Sequence, residues 1–340
     1  MANVSEPLLK VRDLRTYFHV RHGLLGRTRS ALRAVDGVSF GIPEGTTLGL
    51  VGESGCGKTT LGRTILRLEH ATSGRVWFDG VDVLAASGSA LRRLRRDMQI
   101  VFQDVSGSLN PLLTVGQSVA EPLAVHRVGS PREQRNQVAL LLQRVGLNAD
   151  AASAYPHQFS GGQRQRIGIA RAIALEPKLI ICDEPVSALD VSIQSQILNL
   201  LRDLQHELGL TYLFIAHDLA VVKHVSERVA VMYLGKIVET AECEDLYMRP
   251  AHPYTISLLA AHLEPDANRR AHRTSFDGEP PSPLAPPTGC AFHPRCPFST
   301  DECRRNTPAL QGHATLPPEH HVACHRVDAV RDPARLARAK

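Results

Sequence analysis

A run of nine residues in the first fifth of the chain has the composition and spacing of a phosphate-binding loop. It follows the pattern G-x-x-x-x-G-K-S/T and consists of Gly52, Glu53, Ser54, Gly55, Cys56, Gly57, Lys58, Thr59 and Thr60. The glycines allow a tight turn that points N–H groups at an anion, Lys58 can reach the β- and γ-phosphates, and the Thr59 hydroxyl can bind Mg²⁺. A strand-like run over 46–51 precedes the loop, and a helix over 61–68 can follow it. The sequence therefore predicts a nucleotide-phosphate site.

Two carboxylates follow a continuous apolar run at 179–182. Such a run is typical of a parallel strand buried on both faces. Asp183, at its end, can hold Mg²⁺, and Glu184 can act as a general base toward water. In a chain that also has a phosphate loop, Asp183 and Glu184 are better explained as a hydrolytic site than as two solvated carboxylates at the end of a strand.

A second candidate anion site consists of Ser160, Gly161, Gly162 and Gln163. The two glycines stand at the predicted start of a helix, and Ser160 is placed to cap it. Exposed N–H groups at a helix start can receive a phosphate. A simple helix cap is the alternative interpretation.

These residues must be positioned by an α/β fold. Strands are predicted over 8–20, 34–40, 75–78, 98–102, 179–182 and 211–215, with two more inside 228–238. A helical insertion is predicted over 104–176, with helices at 115–123, 132–145 and 161–175; further helices are predicted at 192–208 and 255–262. Residues 19–34 are basic and are predicted to form a loop or flap. A domain boundary is placed near residue 245, and a Pro-rich linker runs from 280 to 287.

Composition restricts the class of protein. The chain has 340 residues, of which 43% are hydrophobic and 21% charged, with a net charge of +5. That charge does not indicate nucleic-acid binding. Neither a signal peptide nor a bilayer-spanning run is visible, which predicts a cytosolic protein whose seven cysteines are thiols or metal ligands.

The order of the motifs over 8–245 resembles that of ABC-transporter ATP-binding subunits. The loop at 52–59 resembles Walker A, Gln103 falls at the Q-loop position, and 159–163 reads FSGGQ, the family signature. Residues 179–184 resemble Walker B with the catalytic glutamate, 187–190 read SALD, the D-loop, and His217 matches the switch histidine.

The resemblance implies an ABC-type P-loop nucleotide-binding domain over 1–245. Its expected parts are a RecA-like core, an antiparallel β subdomain and the helical subdomain. Two such domains would meet head to tail, so that Ser160, Gly161, Gly162 and Gln163 act on the partner's ATP. Glu184 would polarise the attacking water and His217 would contact the γ-phosphate. Mg²⁺ would be held by Thr59, Gln103 and Asp183, while Phe18, with Tyr17 as the alternative, would stack on adenine.

The segment 246–340 resembles the C-terminal extension of dipeptide/oligopeptide importer ATPases, notably in PPSPL at 280–284 and HPRCP at 293–297. This implies a motor subunit on the cytoplasmic face of the inner membrane. The implied partners are a second, related ATPase subunit, two permease subunits and, indirectly, a peptide-binding protein outside the cytoplasm, with no nucleic acid. The cargo is left open. A soluble ABC ATPase acting on DNA or ribosomes is the competing interpretation. Residues 326–340 are expected to form a mobile end.

Four cysteines in this extension form a candidate metal centre with the spacing C-x5-C-x6-C-x20-C: Cys290, Cys296, Cys303 and Cys324. Four thiolates can bind a 4Fe–4S cluster. Structural zinc is the alternative, because it accepts the same set, although it favours tighter cysteine pairs, and His293, His320 and His321 could serve it. Free buried thiols and disulfides are the remaining alternatives, the latter disfavoured by compartment.

Overall fold

The computed structural model describes residues 6–22, 28–262, 279 and 281–332. These fall into two compact units. The first comprises the described residues of 1–9, 42–47 and 77–215, and the second those of 10–41, 48–76 and 216–340.

The strands and helices have the following bounds. The strands are β1 Leu9–His22, β2 Thr28–Ile42, β3 Thr47–Val51, β4 Ser73–Phe78, β5 Val81–Asp82, β6 Met98–Val101, β7 Leu179–Asp183, β8 Thr211–Ala216, β9 Arg228–Tyr233, β10 Lys236–Glu242, β11 Gln311–Gly312 and β12 His321–Val322. The helices are α1 Lys58–Ile65, α2 Gly88–Asp97, α3 Val105–Ser108, α4 Val115–His126, α5 Pro131–Arg144, α6 Gly161–Ile173, α7 Val191–Leu208, α8 Leu219–Val225, α9 Cys243–Met248, α10 Pro253–His262, α11 Asp301–Arg305 and α12 Val327–Arg331.

The first unit is built on parallel pairing of β7 with β6 and with β8. Every residue of β7 is buried, which confirms the prediction of a doubly covered parallel strand. Helices α3 to α6 lie in the chain between β6 and β7, where the helical insertion is predicted. Three of the helices, α4, α5 and α6, begin with a reciprocal capping box, in which the side chains of the cap and of the third helical residue each accept a backbone N–H.

The second unit pairs β3 in parallel with β9, and β9 in antiparallel fashion with β10. Strand β12 pairs in antiparallel fashion with β10, with Val322 opposite Glu239. Strand β11 then pairs in antiparallel fashion with β12, with Gln311 opposite Val322. The C-terminal extension therefore continues the sheet of this unit. In the same unit, β1 lies between β2 and β4.

Most predicted elements are confirmed, with shifted ends. Helix α1 begins at Lys58 rather than at 61, and α10 begins at Pro253 rather than at 255. Helix α7 ends at Leu208, as predicted, and Gly209 follows it in the left-handed conformation. A turn at 79–80 joins the antiparallel strands β4 and β5.

Two expectations are wrong over part of their length. Residues 19–22 and 28–34 belong to β1 and β2 rather than to a loop, and 23–27 lie outside the described residues. His19 and Arg33 are exposed, because an antiparallel sheet can keep one face in water and so tolerates basic residues. At the other end, 327–331 form α12 rather than a mobile segment, because Val327 and Val330 are buried. Pro280 and 333–340 lie outside the described residues, and the division at 245 stays a prediction.

No helix in the described part of the chain combines the length and apolar character needed to cross a bilayer.

Candidate active site

The phosphate loop lies in the second unit, between β3 and α1. Gly57 caps α1 with φ of 109°, and a Cβ there would lie 1.9 Å from the carbonyl oxygen of Ala34. Only glycine fits this position, because it combines positive φ with close backbone contact. Ser54 and Gly55 are exposed and Thr59 and Thr60 are half-buried. The loop therefore has the tight turn that the sequence predicts.

Lys58 is buried against the first turn of its own loop. Its Nζ donates to the carbonyl oxygens of Gly52, at 2.8 Å, and Glu53, at 3.1 Å. Burial raises the pKa of the Cys56 thiol, so this side chain is a neutral packing group at neutral pH. Lys58 is the only basic side chain among residues 52–60.

Glu53 is held by two residues that sequence reasoning missed. Its backbone N–H donates to the hydroxyl of Tyr254 at 2.7 Å, and its two carboxylate oxygens each accept from Arg295 at 3.1 Å. Arg295 is 242 residues away in the chain, so no local pattern could have indicated this contact.

In the first unit, the structure brings Gln103 and Glu184 together. The Gln103 side-chain amide donates to Oε2 of Glu184 at 2.9 Å. Glu184 has φ of 46°, and its N–H donates to the carbonyl of Ile215 at 3.0 Å, which fixes the turn after β7. Asp183 is buried at the end of β7, with 2% of its surface exposed. In this part of the site, the side-chain amide of Gln103 therefore contacts the carboxylate of Glu184, the candidate general base.

The signature segment forms the exposed N-terminus of α6, in the first unit. The Ser160 hydroxyl accepts the Gln163 N–H at 3.3 Å, and the Gln163 side-chain oxygen accepts the Ser160 N–H at 2.9 Å. This confirms the helix cap. A Cβ at Gly162 would lie 2.5 Å from Cγ2 of Ile193, so a larger residue would disturb the packing of α6 on α7. Gly161 is exposed.

The remaining nucleotide-site candidates lie in the second unit. His217 directly follows β8 and is exposed, and Phe18 is half-buried on β1. Tyr17, its neighbour, donates its hydroxyl to Asp36 at 2.5 Å, and burial followed by this bond raises the pKa of Tyr17. Since Tyr17 is engaged by Asp36, Phe18 is the better candidate for an adenine platform.

The four candidate cysteine ligands are neighbours in the second unit and form no disulfide. The Cys290 N–H donates to the Cys303 carbonyl at 2.8 Å. Burial raises the pKa of Cys324 to about 12; the hydrogen bond from the Arg326 N–H opposes this rise, and the thiols of Cys296, Cys290 and Cys303 add to it. In the residues that the structure describes, however, no group of three or more His, Cys, Asp or Glu is arranged to hold a metal ion. The donor set thus suits a cluster chemically, and its thiols interact, but they do not adopt ligand geometry.

The histidines considered for zinc are engaged elsewhere. His320 is fully buried, and its Nε2 lies 2.7 Å from Oε1 of Glu239. The Nδ1 of His293 lies 3.0 Å from the carbonyl oxygen of Cys290, and that of His321 lies 3.3 Å from the carbonyl oxygen of Glu319. The buried Glu239 contact makes His320 a poor zinc ligand.

A glycine-rich loop between a buried strand and a helix, together with strand-end carboxylates, defines a P-loop nucleotide hydrolase of the α/β class. Comparison with known proteins narrows this class. Residues 35–187 match the family model for ABC transporter, and 238–303 match that for the oligopeptide/dipeptide transporter, C-terminal region. The chain belongs to the ABC transporter ATP-binding family.

Similar proteins cover nearly the whole chain. It is 50% identical over 334 residues to the probable peptide ABC transporter ATP-binding protein y4tS of Sinorhizobium fredii, covering 98% of this chain and 93% of the relative. It is 50% identical over 326 residues to the oligopeptide transport ATP-binding protein AppF of Bacillus subtilis, covering 94% of this chain and 98% of the relative.

Among solved structures, the dimeric, post-hydrolysis ATP-binding cassette MJ0796 bound to ADP and Pi aligns with a TM-score of 0.61 at 31% identity. The alignment covers 69% of this chain and 98% of that one. This likeness confirms the ABC ATPase fold that the motifs imply.

Proposed function

We propose that this chain is the ATP-hydrolysing subunit of a bacterial importer for dipeptides or oligopeptides. The observation that carries the proposal is 50% identity over 98% of the chain to a relative named as a peptide transporter ATP-binding protein. The match of 238–303 to the oligopeptide/dipeptide transporter C-terminal region supports the same function. An ABC ATPase acting on DNA or ribosomes is not favoured, because this region belongs to a transporter family.

Each candidate residue has a distinct role in ATP hydrolysis. Lys58 and the N–H groups of 52–60 bind the β- and γ-phosphates of ATP, and Phe18 stacks on adenine. Glu184 accepts a proton from the attacking water, and the Gln103 amide at 2.9 Å orients its carboxylate. His217 donates a hydrogen bond to the γ-phosphate. Bound Mg²⁺ neutralises phosphate charge, and Thr59, Asp183 and Gln103 are the residues that would hold it.

The partners follow from the family. We expect two permease subunits and a second ATP-binding subunit, related but different in sequence, with this chain bound peripherally at the cytoplasmic face of the inner membrane. Ser160, Gly161, Gly162 and Gln163 would then cover ATP bound to the partner's phosphate loop. An extracellular or periplasmic peptide-binding protein would deliver the cargo to the permease.

The function is tested by purifying the chain with its permease and reconstituting the complex in vesicles. We expect hydrolysis of MgATP, stimulated by the binding protein loaded with peptide, and accumulation of labelled peptide. ATPase activity that does not respond to any peptide-loaded binding protein, and no peptide uptake, would contradict the importer assignment. Stoichiometry of the purified complex distinguishes a heterodimer of ATPase subunits from a homodimer.

We further propose that Cys290, Cys296, Cys303 and Cys324 bind a 4Fe–4S cluster, with structural zinc as the alternative. The proximity of the four thiols, of which Cys303 is buried and the other three are half-buried, supports this. Metal binding would require the thiols to move into ligand geometry and lose their protons. Anaerobic purification should give brown protein with broad absorbance near about 400 nm, lost in a Cys303→Ser variant. Colourless anaerobic protein with one zinc per chain would favour zinc, and metal-free protein would exclude both.

A further inference from the structure

An ion pair joins the C-terminal extension to the phosphate loop. Arg295 donates through both terminal guanidinium nitrogens to the two carboxylate oxygens of Glu53, each at 3.1 Å. This two-point geometry is the strongest form of a carboxylate–guanidinium contact and fixes orientation as well as distance. Glu53 belongs to the loop, and Arg295 to the segment that carries the cysteines.

The surroundings hold Arg295 in place. Its side chain is 10% exposed, and its guanidinium carbon lies 5.5 Å from the ring centroid of Phe292 and 6.0 Å from that of Tyr233. Tyr233, Tyr254 and Phe292 are fully buried and contact one another, with centroid distances of 4.6 to 5.5 Å. The Arg295 side chain is nearly buried whereas that of Glu53 is 30% exposed, so solvent screens this ion pair less than it screens a pair on the open surface.

The same cluster controls the backbone of Glu53. The Tyr254 hydroxyl accepts the Glu53 N–H at 2.7 Å, while the Glu53 carbonyl accepts from Lys58 Nζ at 3.1 Å. Side chain, N–H and carbonyl of one residue are thus all engaged. Glu53 therefore supplies one of the two backbone carbonyls that hold the Lys58 ammonium group, the other being that of Gly52.

We propose that Arg295 is a positioning residue for ATP: acting through Glu53, it holds the first turn of the phosphate loop in the conformation that receives nucleotide. The C-terminal extension is then part of the ATP site's support. This inference rests on the assignment of 52–60 as the ATP-binding loop.

The proposal is tested by ATP titration of the full-length chain. Arg295→Ala should raise the Kd for ATP about tenfold, and Arg295→Lys, which keeps the charge but loses the two-point contact, about threefold. In the assembled transporter, the KM for ATP should rise by a similar factor while kcat changes less than about twofold, since Arg295 does not touch the reacting phosphate. The matched control is Arg304→Ala, which removes an exposed arginine that likewise adjoins a cysteine of the extension, and should leave ATP affinity unchanged.

A double-mutant cycle separates positioning from general stability. In a Glu53→Gln background, Arg295→Ala should add almost nothing to the Kd, because its partner is already changed. Equal effects in both backgrounds, or wild-type affinity in Arg295→Ala, would overturn the proposal. If Arg295→Ala does not fold, Arg295→Lys decides, and unchanged affinity there overturns it. Lys58→Ala tests separately whether residues 52–60 form the ATP-binding loop, the assignment on which the role of Arg295 rests. Wild-type ATP affinity in that variant would show that the loop is not the ATP site.

Discussion

At the scale of single residues, Glu184 is the position where local geometry and proposed chemistry coincide. Its positive φ and its N–H bond to Ile215 place it at a sharp turn after a buried strand. The Ser187 hydroxyl donates to its carbonyl oxygen at 3.1 Å, and Gln103 donates to its carboxylate. A side chain so constrained can present one oxygen to water repeatedly in the same orientation.

Replacing Glu184 with glutamine should slow hydrolysis in the assembled transporter by about 10²–10⁴-fold while ATP still binds, since the amide keeps the shape and loses the base. Single-turnover hydrolysis and ATP titration measure the two effects. Glu176→Gln is the control, because Glu176 is an exposed glutamate that also has positive φ, 52°, in the same unit. Wild-type turnover in Glu184→Gln would remove Glu184 from the role of base.

At the scale of elements, the start of helix α10 depends on a buried histidine. His252 is 1% exposed, and the Nδ1 of its ring accepts the backbone N–H of Tyr254 at 3.1 Å. The backbone N–H of His252 donates to Oε2 of Glu239 at 3.0 Å. The accepting Nδ1 must be unprotonated. Burial lowers the pKa of His252 to about 4, with the Glu239 carboxylate opposing the shift. The helix that presents Tyr254 to the phosphate loop is therefore built on a neutral imidazole.

This arrangement predicts an acid-sensitive contribution to stability. The pKa of His252 is lower in the folded than in the unfolded state, so its contribution is complete above about pH 6.5 and is lost as the pH falls toward 4. Between pH 7.5 and 4.5, the free energy of unfolding should fall by about 2–3 kcal/mol more in the wild type than in His252→Asn. Asparagine can still accept the Tyr254 N–H but does not titrate.

Urea unfolding at a series of pH values measures the difference. His224→Asn is the control, because it makes the same substitution at an exposed histidine. If the free energy of unfolding changes with pH in the same way in the wild type and in His252→Asn, His252 is not the source of this pH dependence.

At the scale of the whole molecule, the exposed signature is the surface expected to complete a second chain's ATP site. The hydroxyl of Ser160 is used within its own helix cap, whereas the N-terminus of α6 is exposed. A long cationic side chain at this position would occupy the space where the partner's phosphate should lie.

Ser160→Arg should reduce hydrolysis at the site that this signature covers by about 10²-fold, because phosphate-stabilising donors are displaced. The chain's own ATP affinity should be unchanged. Single-turnover hydrolysis in the assembled transporter and ATP titration of the isolated chain measure these two effects. Ser130→Arg is the matched control, since Ser130 caps α5 with the same reciprocal box. Loss of the chain's own ATP binding in Ser160→Arg would contradict the assignment in trans.

Local signals in the sequence were sufficient for the elements that carry chemistry. Glycine spacing determines the turn at 52–60, an unbroken apolar run determines the buried strand β7, and Ser160 with Gln163 determines the cap of α6. Each depends on residues within a few positions of one another, where sterics and hydrogen bonding act directly on the chain.

Only the tertiary structure decided the contacts between distant segments. Charged residues at 19–22 and 28–34 read as a loop because strand pairing, which satisfies their backbone groups, comes from neighbours that no local window contains. The two-residue strands β11 and β12 are too short to have a pattern and exist because β10 offers an edge. Arg295 reaches Glu53 across 242 positions and His320 reaches Glu239 across 81, because burial and charge pairing act through space rather than along the chain.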